Sequence, residues 1–149
     1  MGAALLEIRD LSVQFFTYQG VVRALEGVSL SVAEGEILGL VGETGCGKSV
    51  LARAVLRVIA EPPGKITAGR VLFKGRDLLA LDRRQMRRIR GNEISMIFQE
   101  PMSSLNPVYT VGFQIEEVLR KHRGMSAAEA RAEAAGLLGL VGMPEPAAR

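Results

Sequence analysis

A glycine-rich segment that ends in lysine and serine, GETGCGKS, occupies residues 42 to 49. Glycines let backbone N–H groups converge on phosphate oxygens without interference from side chains, and a helix that starts at the end of the segment adds the positive end of its dipole. The lysine would neutralise the outer phosphates of a nucleotide, and the serine would ligate Mg²⁺. The pattern predicts a phosphate-binding loop made of Gly42, Glu43, Thr44, Gly45, Cys46, Gly47, Lys48, Ser49 and Val50.

The alternative for this segment is a glycine-rich turn that contains Lys-Ser by chance. The apolar run Ile37 to Val41 before it is typical of a strand buried on both faces. Helical periodicity follows from Ser49 to Ala60 and must stop before Pro62 and Pro63. Because strand, glycine loop and helix come in the order that the mechanism needs, we favour nucleotide binding, with Lys48 as a catalytic group. The motif alone does not separate an ATPase from a GTPase or a small-molecule kinase.

A second stretch with candidate chemistry, ISMIFQEPMSSLNP, places Gln99 at the end of an apolar, strand-like run. A neutral amide can accept a hydrogen bond from water and offer its oxygen to a hard cation without adding charge. The loop that follows contains two prolines and two serines, which predicts a stiff, exposed segment suited to a contact surface. Alone, the stretch would be a surface loop with an ordinary glutamine; the glycine segment upstream makes Gln99 a candidate.

Cys46 lies inside the glycine segment, near a lysine and a helix start, and both features favour the thiolate. A requirement for a small side chain explains this residue without any redox role, and we prefer that explanation. As the only cysteine of the chain it cannot form an internal disulfide, so we expect the protein to be intracellular or at least to fold without disulfides.

The composition is that of an ordinary globular domain, with 149 residues, 48% of them hydrophobic and 23% charged. The formal charge of +3 is too small to argue for nucleic acid without a basic patch. The N-terminus does not resemble a signal peptide, and no apolar run reaches the roughly 18 residues of a membrane span. Five arginines, Arg83, Arg84, Arg87, Arg88 and Arg90, are expected to form a solvated helix face rather than a nucleic-acid site.

The other elements follow from periodicity and turn residues. Leu5 to Phe16 and Ala24 to Val32 predict paired antiparallel strands, and KITAGRVLFKGRDL predicts a second hairpin. A basic helix closes at Gly91, and Val111 to Lys121 predicts another helix. A capping box, SAAE at residues 126 to 129, predicts the start of a last helix.

GETGCGKS followed by FQEPMSSLNP resembles the ATP-binding subunits of ABC transporters, and QEPMSSLNP is similar to the peptide importers in particular. The resemblance implies an α/β fold: a P-loop NTPase core of the ABC ATPase type, an antiparallel β subdomain and the start of a helical subdomain. Residues 1–149 would be the N-terminal part of one ABC ATP-binding domain. Its β subdomain would comprise about 1–36 and 65–75, its P-loop core 37–61 and 91–99, and its Q-loop and helical start 100–149.

The resemblance also implies site residues. Gln99 would be the Q-loop glutamine, a catalytic residue that contacts Mg²⁺ together with Ser49. Phe15 would stack on the adenine of ATP, although Phe16 and Tyr18 are close enough to compete. The contact with a membrane permease would be made by Glu100, Pro101, Met102, Ser103, Ser104, Leu105, Asn106 and Pro107.

The implied cofactors are ATP and Mg²⁺. The implied partners are membrane permease subunits and a second ATP-binding subunit, in a homo- or heterodimer, with no nucleic acid. The implied location is peripheral, at the cytoplasmic face of the inner or plasma membrane. The implied function is to couple ATP binding and hydrolysis to solute import, with peptides as the expected solute.

Three features of that family do not occur in the sequence: an LSGGQ-like signature, an apolar strand ending in Asp-Glu, and a switch histidine. The single histidine, His122, matches none of the family positions. We therefore expect the N-terminal part of a longer protein, an incomplete core sheet, and a fragment that binds ATP without turning it over. The alternative is a self-contained P-loop kinase or GTPase, although the guanine-reading Asn-Lys-x-Asp is also missing.

Overall fold

The structure is a computed structural model that describes residues 4 to 145, apart from the side chain of Ser103. These residues divide into two compact units, one ending at Arg87 and one beginning at Arg88. The elements in chain order are β1 (Ala4–Thr17), β2 (Gly20–Ala33), α1 (Lys48–Val55), β3 (Gly64–Phe73), β4 (Arg76–Asp77), α2 (Arg83–Ile89), a 3₁₀ turn (Pro101–Ser104), α3 (Val111–Arg123) and α4 (Ala127–Leu140).

The first unit contains an antiparallel sheet with strand order β2-β1-β3-β4. Both predicted hairpins are confirmed, and the first turns at Tyr18 and Gln19, since Thr17 pairs with Gly20. Strand β1 carries a bulge near Asp10, whose φ is 49°. The bulge shifts the alternation by one residue, which allows Ile8 and Leu11 both to be buried.

Gly69 on β3 lies against β1 at the position of this bulge. A Cβ at Gly69 would stand 2.5 Å from the Cα of Leu11 and 2.6 Å from the carbonyl oxygen of Asp10. The φ of Gly69 is also 96°, which L side chains rarely adopt. Glycine is therefore required for the two strands to approach each other here.

Helix α1 begins at Lys48, as expected, but it ends at Val55 instead of Ala60. The N–H of Arg57 donates to the carbonyl of Ala54, and the N–H of Val58 donates to the carbonyl of Arg53, both at 3.0 Å. Arg57 itself is left-handed, with φ 51°. These two hydrogen bonds form a Schellman motif, which ends the helix. The helical pattern of apolar residues continues to Ala60 in the sequence, but the helix itself does not.

The two predicted core strands are wrong for the chain as it stands. Neither Ile37 to Val41 nor the run that ends at Gln99 forms a strand; near the latter only an isolated bridge joins Arg90 and Ile94. Ile37, Val41 and Ile97 are 97%, 95% and 89% exposed. A strand needs hydrogen-bonded neighbours along its length, and the described residues offer these runs no strand partner beyond that single bridge. The expectation of an incomplete sheet is confirmed.

The second unit contains α3 and α4, which pack through Leu119, Ala130 and Ala134. Helix α3 starts after Thr110, whose hydroxyl accepts from the N–H of Phe113. Helix α4 starts after Ser126 with the predicted capping box. Across residues 4 to 145, no helix has the length and apolar character that crossing a membrane requires.

Candidate nucleotide-binding site

The glycine loop joins an irregular segment to the first turn of α1, and its last glycine sets the geometry. Gly47 precedes the helix with φ 96° and ψ −1°. A Cβ at Gly47 would lie 2.8 Å from both the carbonyl oxygen of Ala24 and Cδ2 of Leu25 on β2. Only glycine combines this backbone conformation with so close an approach, so β2 fixes where the loop ends.

The loop presents backbone donors. Within residues 4 to 145, no acceptor receives the N–H of Gly45 or Gly47, and the N–H of Lys48 lies against the Cys46 thiol. The first N–H groups of a helix have no partner inside the helix, and they carry the positive end of its dipole. Donors at a helix start can bind phosphate oxygens.

The Lys48 ammonium lies folded over this loop. Its Nζ donates to the carbonyl oxygens of Gly42 and Glu43, at 2.6 and 2.7 Å, and to Sγ of Cys46 at 3.2 Å. These acceptors hold one positive charge beside the unpaired N–H groups. A phosphate oxygen is a stronger acceptor than a carbonyl, so this lysine is placed to exchange its present contacts for a phosphate.

The Cys46 thiol is exposed and lies against Gly42. A Cβ at Gly42 would stand 2.6 Å from Sγ, so glycine at 42 leaves the space that the thiol occupies. The hydrogen bond from Lys48 lowers the pKa of Cys46, and desolvation opposes that shift. The preference for a small residue at 46 agrees with this close contact.

Ser49 lies in the first turn of α1 and is exposed. Its hydroxyl is the kind of oxygen that Mg²⁺ accepts as a ligand. Among the described residues, no three His, Cys, Asp or Glu side chains come together to hold a metal ion. A contact between this hydroxyl and Mg²⁺ stays a prediction.

Phe15 pairs with Val22 on β2 and Gly64 on β3 and is half-buried. It alternates with the buried Val13, which pairs with Leu25, the residue that touches Gly47. Phe15 thus shares the sheet face that meets the glycine loop.

The competing aromatics are placed differently. Phe16 follows on the opposite face of β1, and Tyr18 is fully exposed in the hairpin turn. The register favours Phe15, and its contact with adenine stays a prediction.

Gln99 and the predicted permease-contact segment belong to the second unit, so the role of Gln99 at a phosphate also stays a prediction. The segment from Glu100 to Pro107 is exposed wherever its side chains are described. Gln114 on α3, which the sequence analysis did not single out, holds this segment through hydrogen bonds. Its amide accepts from the N–H of Asn106 at 2.9 Å and donates to the carbonyls of Asn106 and Tyr109, at 3.1 and 3.2 Å. No sequence pattern marks that glutamine.

N–H groups at a helix start, a lysine folded over them and glycines in close contact are the features of a P-loop protein. The family comparison is more specific. Residues 25–149 match the ABC transporter family, and the chain belongs to that family. The resemblance carried by GETGCGKS and FQEPMSSLNP is confirmed.

Curated relatives are similar over almost the whole chain. A probable peptide ABC transporter ATP-binding protein of Sinorhizobium fredii is 51% identical over 97% of the chain and 43% of its own length. An oligopeptide transport ATP-binding protein of Bacillus subtilis is 49% identical over 97% of the chain and 40% of its own length. A dipeptide transport ATP-binding protein of Escherichia coli is 44% identical over 98% of the chain and 44% of its own length. The chain thus spans less than half the length of these relatives.

Solved structures agree on the fold. A dimeric bacterial ABC transporter cassette is similar with a TM-score of 0.78 and 27% identity, over 94% of this chain and 58% of the cassette. A dimeric post-hydrolysis state of an ATP-binding cassette, bound to ADP and inorganic phosphate, gives a TM-score of 0.69 and 25% identity. That match covers 87% of this chain and 55% of the other. The chain therefore has a partial ABC ATPase fold.

Proposed function

We propose that the chain is the nucleotide-binding part of the ATP-binding subunit of a peptide importer. The observation that carries the proposal is the Lys48 ammonium, held 2.6 and 2.7 Å from two loop carbonyls beside unpaired N–H groups at the start of α1. The peptide specificity is supported by relatives named for peptide, oligopeptide and dipeptide transport.

In this proposal the loop binds the phosphates of ATP. The N–H groups of Gly45, Gly47 and Lys48 donate to phosphate oxygens, and the ammonium moves from its carbonyl acceptors to the outer phosphates. The Ser49 hydroxyl and the Gln99 amide oxygen are the ligands that the chain offers to Mg²⁺. When bound, Mg²⁺ neutralises charge that develops on the outer phosphates.

Base recognition is assigned to Phe15. An aromatic ring on the sheet face that meets the glycine loop can stack on adenine and needs no hydrogen bond to the base. The missing guanine-reading motif supports ATP over GTP. Replacing Phe15 by leucine should weaken ATP binding, whereas the same change at Phe16, on the other sheet face, should not.

Coupling to transport is assigned to the segment from Glu100 to Pro107. Its exposure and its attachment to α3 through Gln114 suit a surface that contacts another subunit. The partners in this proposal are a membrane permease and a second ATP-binding subunit, and the similar cassettes are described as dimeric. The location would be peripheral, at the cytoplasmic face of the inner or plasma membrane.

We further propose that the 149-residue chain binds ATP without hydrolysing it. Phosphoryl transfer needs a group that polarises water and donors that face the γ-phosphate, besides the phosphate loop. The sequence contains neither the Asp-Glu strand nor the signature that supply these groups in the family. Lys48, Ser49 and Gln99 are the groups that remain.

Thermal unfolding with and without ATP–Mg²⁺ tests the binding. A ligand at a hundred times its dissociation constant stabilises the folded state by about 2.7 kcal/mol. We expect this stabilisation to be lost in Lys48→Ala and kept in Lys121→Ala, which removes an exposed lysine from α3. An undiminished shift in Lys48→Ala would reject the site, and an equal shift with GTP would favour the GTPase alternative.

Phosphate release tests the lack of turnover. We expect no steady release of inorganic phosphate from ATP by the purified chain. Release that disappears in Lys48→Ala would show that the chain does hydrolyse ATP. In that case the chain would carry a catalytic group that the sequence analysis did not identify.

A further inference from the structure

Positive charge is concentrated in one segment of the chain. Residues 65 to 90 contain nine of the 19 basic residues and two of the 16 acidic residues. This segment therefore carries a net charge of +7, although the whole chain carries only +3 and the remaining residues together are negative. A charge this uneven indicates a surface that meets an anionic partner.

Helix α2 presents the densest part of this charge. Met86 and Ile89 are buried on one side of the helix. The exposed residues are Gln85 and four arginines, Arg83, Arg84, Arg87 and Arg88, and these arginines are here called the arginine face. At about 100° per residue, these positions fan over roughly 140° of the helix circumference. The four charges are therefore spread over a broad sector of the helix.

The protein does not neutralise the arginine face. Asp77 and Asp82, the acidic residues of the segment, accept hydrogen bonds from the backbone N–H groups of Leu79 and Gln85, at 2.9 and 2.7 Å. Within residues 4 to 145, no ion pair involves any of the four arginines. By contrast, Arg9 and Arg23 each face a glutamate.

We propose that the arginine face docks on the anionic phospholipid headgroups of a membrane. A bilayer is an extended sheet of phosphates that asks for no shape complementarity, and guanidinium groups bind phosphate through paired hydrogen bonds. Clusters of four or more basic residues on a helix are attracted to anionic lipids. Because the apolar side of α2 is buried in the protein, the attachment is electrostatic and superficial, without insertion.

Nucleic acid fits the same surface less well. Proteins that track single strands interleave aromatic side chains with basic ones, and residues 74 to 97 contain no aromatic residue. The arginine face also has no neighbouring aromatic within α2 on which a base could stack. Charges spread over a broad sector of a helix suit a plane of headgroups better than a duplex groove.

Sedimentation of the chain with vesicles tests the proposal. Phosphatidylglycerol vesicles should bind the chain, and phosphatidylcholine vesicles should not. Replacing all four arginines of the arginine face by glutamine should weaken partitioning at least about tenfold. Raising the salt should abolish binding, because the screening length falls from about 10 Å at 0.1 M to about 3 Å at 1 M.

The matched control removes four charges elsewhere. Glutamine at Arg9, Arg23, Arg123 and Arg131 changes the net charge equally, but each of these arginines already faces a glutamate. We expect this variant to bind vesicles as the wild type does. Both variants should keep their far-ultraviolet circular dichroism and their stabilisation by ATP, which separates lipid binding from the proposed nucleotide site.

Three outcomes would overturn the proposal. The first is the absence of binding to anionic vesicles at low salt. The second is an equal loss in the matched control, which would assign binding to net charge. The third is binding to polyglutamate or duplex DNA, but not to vesicles, at equal anionic charge, which would assign the arginine face to an acidic protein or to nucleic acid.

Discussion

The Lys48 ammonium donates a hydrogen bond to the Cys46 thiol, with 3.2 Å between Nζ and Sγ. This contact is the main reason that the pKa of Cys46 is lowered; desolvation acts in the opposite direction. The same ammonium is bound to the carbonyl oxygens of Gly42 and Glu43. The reactivity of one exposed thiol therefore reports the position of the lysine that we assign to phosphate binding.

Cys46 should react with a small maleimide at a lower pH than an ordinary thiol does, because a lowered pKa increases the thiolate fraction below the usual range. Lys48→Ala should shift the pH profile of the labelling rate to higher pH, because it removes the hydrogen bond that lowers the pKa of Cys46. Saturating ATP–Mg²⁺ should slow the reaction, since the phosphates would occupy the loop. Equal rates with and without nucleotide would exclude Cys46 from the site.

Gly47→Ala should destabilise the chain more than Gly45→Ala. Both glycines have positive φ, 96° and 87°, but a Cβ at Gly47 would clash with Ala24 and Leu25, whereas a Cβ at Gly45 meets nothing within 4 Å. We expect about 1 to 2 kcal/mol of backbone strain in each variant and a further roughly 1 to 3 kcal/mol of overpacking in Gly47→Ala. Urea unfolding measures the difference, and equal losses would contradict the close contact.

Arg57→Ala should destabilise the end of α1. The guanidinium Nη1 donates to the carbonyl oxygens of Leu78 and Leu81 at 3.1 and 2.5 Å, while the residue itself has a left-handed φ of 51°. Loss of these bonds should lower stability by about 1 to 3 kcal/mol. Arg57→Gly should lose about 1 kcal/mol less than Arg57→Ala, since glycine removes the strain. If the two variants unfold at the same urea concentration, the left-handed conformation carries no strain.

Ser126→Ala should lower stability by about 1 kcal/mol, because Ser126 Oγ accepts from the Glu129 N–H at the start of α4. The return bond, from the Ser126 N–H to Glu129 Oε2 at 2.8 Å, makes this a complete capping box. Circular dichroism during urea unfolding would measure the loss, and Ala132→Gly, at an exposed position in the interior of the same helix, provides a propensity control.

The same capping box should make stability depend on pH. Hydrogen bonds from Ser126 lower the pKa of Glu129 in the folded chain. The contribution of a carboxylate with a lowered pKa is present above its unfolded pKa and disappears as the pH falls through its folded value. Glu129→Gln should therefore flatten the acid side of the stability profile. An unchanged profile in this variant would show that Glu129 contributes nothing to acid unfolding.

Local patterns predicted local structure well. The two hairpins follow from alternation and turn residues, α1 starts where GETGCGKS ends, and the capping box at Ser126 marks α4. The wrong predictions depend on contacts that a sequence pattern does not contain. Ile37 to Val41 has the hydrophobicity of a buried strand but no paired strand among the described residues. Helix α1 ends early because of the hydrogen bonds made by the N–H groups of Arg57 and Val58. Phe15 and Gln99 were assigned from the family resemblance and remain predictions.

The exposed apolar residues at Ile37 to Val41 and at Ile97 and Phe98 should affect how long the chain survives in a cell. Extended apolar segments with unpaired backbone groups are where chains aggregate edge to edge and where quality control acts. Further strands that paired with these runs would bury them. Strands that pair with these residues would therefore also protect the chain. If pairing is delayed after synthesis, the amount of the chain in the cell should fall through aggregation and proteolysis.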